Sequence, residues 1–250
     1  MVHVSQTRHV SDAACAVLFL HGICGSTRHF SHIIPMTRQV PADWSYVNLL
    51  LEGHGGTVKD FSSSSMKKWK DQVWNEFRRL SETHDRVVVV GHSMGALFAL
   101  QLAVEFPEKI PFLFLIGAAI RPWVSLRGLY CCMRATFGLA RQDHPVEAAI
   151  VSAGGIRLTK KLWQYIPWAP NMIALLLEAR KTEKLLPKLQ TKTVVFQSQS
   201  DEMVSQASVR ILSQYASVEL TNLPRSTHFY YPVEEIEIIT ASFAQLCNSL

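Results

Sequence analysis

Residues Gly91-His92-Ser93-Met94-Gly95 stand between two segments that leave the chain little choice of fold. Before them, Arg86-Val87-Val88-Val89-Val90 is a β-branched, nearly all-apolar run of the kind buried on both faces in a parallel sheet. After them, Ala96 to Phe106 has a helix-forming pattern that Pro107 closes. A G-x-S-x-G between a buried strand and a helix implies a sharp turn. Such a turn lifts the serine side chain above the sheet, over the positive end of the helix. Two glycines and a serine recur by chance, but not with these flanks. Ser93 is therefore the candidate nucleophile.

The same alternation of strand and helix runs through much of the chain. Ala16–Leu20 reads as a strand followed by the loop His21-Gly22-Ile23-Cys24-Gly25-Ser26, and a helix is expected over about 27–37. Tyr46–Leu51 is the next strand, leading into Glu52-Gly53-His54-Gly55-Gly56. The serine run 62–65 offers a helix N-cap, and Met66, Trp69, Val73, Phe77 and Leu80 then fall on one helical face. Further strands are expected at Phe112–Ile116, Thr193–Gln197 and Val218–Leu220, and a last helix at about 232–246. Between them, residues 119–186 replace strands with helical pieces rich in Trp, Leu and Met. The expected architecture is an α/β fold, with a mostly parallel sheet and helices on both of its faces. The core is expected to comprise 1–118 and 187–250, and a helical cap 119–186.

Several function classes fall away on composition. No run reaches the ~18 apolar residues needed to cross a bilayer, and neither a basic N-terminal region nor a small-residue cleavage site frames 13–20. No stable membrane insertion is expected. The five cysteines, two of them adjacent, make no disulfide framework, and a reducing cytoplasm is the expected setting. The net charge of +5 is unevenly placed: residues 119–193 hold twelve Lys or Arg against four acids. That patch has no basic-aromatic module or recognition helix to suit nucleic acid, and is expected to be a solvated basic face. It also suits an anionic surface or an acidic substrate.

A serine hydroxyl needs a base to take its proton and donors aimed at the developing oxyanion. Ten histidines compete for the first role, so position decides. In the order serine, acid, histidine found in α/β-hydrolases, the histidine follows the last strand, as His228 does here. The acid belongs after the preceding strand, where Asp201 and Glu202 are neighbours. Asp201 is preferred because it lies nearer the strand end, and a helix N-cap role remains open for it. The backbone N–H groups of Met94 and Ile23 are the candidate oxyanion donors.

Leu20–Ser26, Leu51–Gly56, Gly91–Gly95, Ser200-Asp201-Glu202-Met203 and Thr227-His228 fall in the order seen in the α/β-hydrolases. The chain most resembles their small bacterial carboxylesterases and monoacylglycerol lipases. The likeness spans almost the whole chain, strong in the core and weak in 119–186. It implies Ser93 as nucleophile, His228 as base, Asp201 as its orienting acid, and Ile23 and Met94 as oxyanion donors. Ala96, where many relatives have a second glycine, and Cys24, where they have Thr or a small residue, depart from the pattern.

The resulting expectation is a serine hydrolase that cleaves medium-chain or monoacylglycerol-like esters through an acyl-enzyme. Thioester hydrolysis, or a non-catalytic binding role on the same fold, are the alternatives. Ser93 and His228 are expected to be partly exposed, and Trp123, Trp163 and Met172 to line an acyl pocket. No cofactor is called for. His21, His54 and His92 lack metal-ligand spacing, the resemblance implies that His21 and His54 buttress loops, and Cys24 has no assigned base. The oligomeric state is left open.

Overall fold

In the strand Cys15–Leu20 (β2), Ala16, Leu18 and Leu20 face one side and Cys15, Val17 and Phe19 the other; all six are buried. Such a strand needs cover on both faces, and it has it. The structure, a computed structural model, describes residues 3–250. Among these residues β2 lies in a seven-stranded sheet with Gln6–Arg8 (β1), Ser45–Leu49 (β3), Arg86–His92 (β4), Phe112–Ile116 (β5), Lys192–Ser198 (β6) and Val218–Leu223 (β7). The spatial order is β1-β3-β2-β4-β5-β6-β7, and every neighbouring pair is parallel except β1 with β3.

After the short helix Val58–Ser62 (α1), one face is covered by Met66–Thr83 (α2) and Met94–Glu105 (α3), whose Trp69, Phe77, Leu97 and Phe98 pack on Leu18, Val87 and Val89. Val233–Cys247 (α8), which follows the short helix Ala207–Leu212 (α7) and β7, brings Ile239 and Phe243 to the other face, against Val17, Phe19 and Phe114. Helix α2 starts where the serine run predicts, with the Ser65 hydroxyl accepting the N–H of Lys68 at 3.3 Å. The helix expected over 27–37 is instead a π-turn at His29–Ile33 and a 3₁₀ turn at Met36–Gln39. Pro35 has no N–H to continue a helix, and it drives Ile34 to extended backbone.

Between β5 and β6 the chain forms Leu126–Thr136 (α4), Pro145–Ala153 (α5), a 3₁₀ stretch at Leu162–Trp168 and Ala169–Leu185 (α6). Helix α6 straddles two environments. Its Ala179 joins the core, and Gln101 of α3 donates to Thr182 Oγ1 (2.7 Å) and Glu178 Oε1 (2.8 Å). The chain leaves β2 towards β3 on one side and later reaches β4 on the other. That switch opens a crevice at the carboxyl ends of the strands. The loops after β2, β4, β6 and β7 meet there.

Candidate active site

Ser93 joins β4 to α3 at φ 54° and ψ −115°, a conformation that L-residues rarely adopt. The strain, of order 1–3 kcal/mol, is held by neighbours on both sides. The Ser93 N–H donates to the Ile116 carbonyl (3.0 Å) and its own carbonyl accepts from Ala96 N–H (3.1 Å). Gly95 lies so close to the Leu20 carbonyl that no side chain fits, which explains the second glycine of the motif.

The loop after β2 packs directly on this turn: a side chain at Gly22 would come within 2.9 Å of Ser93 Cβ. Two histidines hold the loop. His21 Nε2 accepts the N–H of Leu51 (3.1 Å), which places its proton on Nδ1 for the Gly22 carbonyl (2.8 Å). His54 Nε2 accepts the N–H of Cys24 (3.1 Å), and its ring packs edge-on against His21 and Trp69. Burial keeps both rings neutral, His21 down to about 4 and His54 well below its ordinary value. Among the described residues, the N–H groups of Ile23 and Met94 donate to no protein acceptor. Met94 follows Ser93 in the chain, and Ile23 follows Gly22, which packs on Ser93.

His228 and Asp201, far apart in sequence, meet here. His228 Nδ1 lies 2.9 Å from Asp201 Oδ2, which leaves Nε2 unprotonated in the neutral ring. Asp201 is itself fixed: Oδ1 accepts the N–H groups of Met203 (2.8 Å) and Val204 (2.7 Å), and Oδ2 accepts Gln197 Nε2 (3.2 Å). Glu202 turns the other way. Its Oε2 accepts the His228 backbone N–H (2.9 Å), while its buried Oε1 has no protein partner. Burial pulls the His228 imidazole down, but Asp201 raises it by charge and hydrogen bond, aided by the charge of Glu202, and the net shift is upward.

The expectation of partial exposure is overturned for both residues. Ser93 is 7% exposed and His228 3%: after β5, Ala119 N–H donates to the Ser93 carbonyl (3.5 Å) and Gly117 lies against the His228 ring, on which the ring of His92 also packs. His92 stacks on His29 at 3.6 Å between ring centroids and approaches the His228 carbonyl through Nε2 (3.3 Å). Tyr231 Oη donates to that same carbonyl (3.2 Å). The sequence reading gave none of these three residues a role here; only the position of His92 inside the motif pointed towards them.

A cavity of about 440 Å³ opens beside this cluster, between the loop after β2 and the insertion. Ser93 and His228 do not line it, but their neighbours Ile23 and Phe229 do, together with Met203, Tyr165, Trp168 and Met172. Met172 is where the sequence places it, but Trp123 and Trp163 are not: they stand outside the cavity, 61% and 65% exposed. The 3₁₀ stretch explains the error for Trp163. With three residues per turn, Tyr165 and Trp168 share the inner side and Trp163 and Ile166 the outer one. Trp123 lies before α4, its N–H donated to the Met203 carbonyl and its ring in solvent.

Cys24 and Cys132 also face the cavity, and burial pushes their thiols up to about 12 and about 11. They stay protonated at neutral pH, which suits no nucleophile. Among the described residues, Cys131, His144 and Glu147 form the one group with metal-ligand geometry. Glu147 is already bound by Arg134 (3.0 Å) and Arg141 (3.0 Å), so a cation there would sit between two guanidinium groups.

The model of the alpha/beta hydrolase family matches residues 17–235. The pimeloyl-[acyl-carrier protein] methyl ester esterase of Aromatoleum aromaticum is 36% identical over 84 residues, 34% of this chain and 30% of that protein. The chain spans less than half the length of the curated relatives it matches. Among solved structures, one from the metagenome-derived lipolytic enzymes LipS and LipT superposes with a TM-score of 0.75 at 20% identity, covering 100% of both chains. The monoacylglycerol lipase of Paleococcus ferrophilus superposes at 0.68 with 13% identity, again covering 100% of both. At such identities the likeness is one of fold. No helix among the described residues is long and apolar enough to cross a membrane.

Proposed function

The chain belongs to the alpha/beta hydrolase family, and from that premise we propose that it hydrolyses carboxylic esters through an acyl-enzyme on Ser93. The observation that carries the reading is the 2.9 Å contact of His228 Nδ1 with Asp201, in a ring that packs on His92, the residue before a serine on a strained turn at a helix N-terminus. In this reading the Ser93 hydroxyl attacks the ester carbonyl and His228 Nε2 takes its proton. Asp201 keeps the histidine in the tautomer that can do so and stabilises the imidazolium that forms. The N–H groups of Ile23 and Met94 receive the oxyanion. His228 then returns the proton to the leaving alcohol, and water repeats the sequence to free the acid.

Residues 119–186 act in this reading as a cap whose inner side receives the acyl chain. The apolar lining from Ile156, Tyr165, Trp168 and Met172 favours acyl groups longer than acetyl. A series of p-nitrophenyl esters and acyl-CoAs of graded length tests substrate class and length together. The expected result is kcat/KM for esters rising by up to ~0.8 kcal/mol per buried methylene, then levelling where the cavity ends. A monotonic preference for acetyl removes the acyl-pocket claim, and a preference for acyl-CoAs turns the reading to a thioesterase. Failure of a fluorophosphonate probe to label Ser93 turns it to a binding protein on the same fold.

A further inference from the structure

The insertion that roofs the cavity also faces outward, and its outer side is unusually apolar. On α4, Leu126, Leu129, Tyr130 and Met133 follow one helical face, and each is at least half exposed; Leu126 reaches 88%. Leu162 and Ile166 continue the surface on the 3₁₀ stretch, Ile166 at 73%. The two segments adjoin, because Leu129 and Met133 of α4 and Leu162 line one groove of about 360 Å³. That groove and the acyl cavity share Leu129, Cys132, Thr136 and Tyr165, so the outer surface is continuous with the inner one, and the hydroxyls of Thr136 and Tyr165 at the junction are bonded to backbone carbonyls. Contiguous exposed apolar surface of this kind marks an interaction site.

Charge identifies the partner. Arg127, Lys160 and Lys161 project from the same segments, are exposed, and carry no ion pair among the described residues. Of the four acids in this segment, Glu147 is held by Arg134 and Arg141, Glu183 by Arg121 and Glu178 by Lys70, which leaves the exposed Asp143 as its one unpaired acid among the described residues, against three unpaired cations here. A two-fold dimer through this face would set these cations against their own kind. A phosphate-rich nucleic acid would leave the leucines in water. Apolar side chains flanked by lysine and arginine match the acyl boundary of an anionic lipid surface.

We propose that this face docks on an anionic lipid–water interface, with the groove between α4 and Leu162 leading an acyl chain from that interface to the cavity. The first half rests on the surface alone, and the second half rests on the ester-hydrolase reading.

Sedimentation with phosphatidylcholine vesicles, with and without about one third phosphatidylglycerol, tests the docking. The wild-type chain should partition at least tenfold more strongly onto the anionic vesicles and lose most of that advantage in 0.5 M salt, about one order of magnitude above the ionic strength of the low-salt arm. Lys160→Glu/Lys161→Glu should lower anionic binding at least tenfold, and Leu126→Asp/Ile166→Asp should abolish it. Turnover of a short, water-soluble ester should stay within twofold of wild type in both variants, which also reports that they fold. Turnover of a long-chain monoester embedded in anionic vesicles should fall at least fivefold in both. Equal binding to neutral and anionic vesicles, no binding to either, or a dimer occluding α4 overturns the proposal. Vesicle binding without hydrolysis of any ester leaves the docking face standing and removes the ester-hydrolase reading instead.

Discussion

Glu202 holds the backbone N–H of His228 at 2.9 Å, whereas its neighbour Asp201 holds the ring of the same residue. Two adjacent carboxylates thus do different work on one histidine, and substitution separates them. Asp201→Asn should lower kcat on a soluble ester by about 10⁴, since an amide favours the wrong tautomer and stabilises no imidazolium. Glu202→Gln keeps an acceptor for the His228 N–H and should cost less than tenfold. The reverse ranking would identify Glu202 as the catalytic acid.

Ser93→Ala and His228→Ala should each remove nearly all ester turnover, and the double variant should be little worse than either alone, because the two act as a unit. Their stabilities should differ. Ser93→Ala removes one hydroxyl and should change unfolding free energy by about 1 kcal/mol or less, whereas His228→Ala empties a buried ring site and should cost about 2–3 kcal/mol. Chemical denaturation of both variants checks the contrast; multiplicative activity losses would refute the shared role.

Gly155 packs against the Gly25 carbonyl with no room for a Cβ, and its N–H donates to the Cys24 carbonyl (2.9 Å). The insertion is pinned there to the loop that carries Ile23. Gly155→Ala should therefore push that loop away from Ser93, lowering kcat/KM at least tenfold and stability by about 1–3 kcal/mol. Gly138→Ala, at a glycine with open space but φ 70°, should lower stability by a similar or smaller amount and leave kcat/KM intact. Equal kinetic effects of the two would show that the pin is not specific.

The histidines set opposing pH dependences. His228 is raised above 6.5, so kcat/KM should fall as pH drops through a pKa above that value. Its own contribution to stability is present below 6.5 and is lost as pH rises through the raised value. His21 and His29 are depressed, by burial first, to about 4 and about 3. Their contribution is present above 6.5 and is lost as pH falls towards those values, on the order of 3 kcal/mol for His21 alone. Tm should therefore drop steadily from pH 6.5 to 4.5. A flat Tm across that window would show that these rings are protonated in the folded state.

Local order carried much of this protein into view from its sequence. The Val87–Val90 run, the glycines around Ser93 and the α2 face from Met66 to Leu80 each impose a pattern that backbone sterics and apolar burial alone can satisfy. The family follows from that order, since strand, turn and helix succeed one another with characteristic residues between them. The polar edge strand Gln6–Arg8 escaped notice because two half-exposed residues and an exposed one have no hydrophobic period. What only the tertiary structure decided is everything set by contact across long separations. Asp201 and Glu202 are indistinguishable as neighbours in the chain, and differ only because the loop after β7 brings His228 against one by its ring and the other by its backbone. Trp163 and Trp168 are equally plausible pocket residues in a linear reading, and the three-residue turn of a short helix sends one into solvent and the other inward. Propensity acts over a few residues, whereas the direction in which a side chain points is set by the packing of segments that the chain keeps far apart.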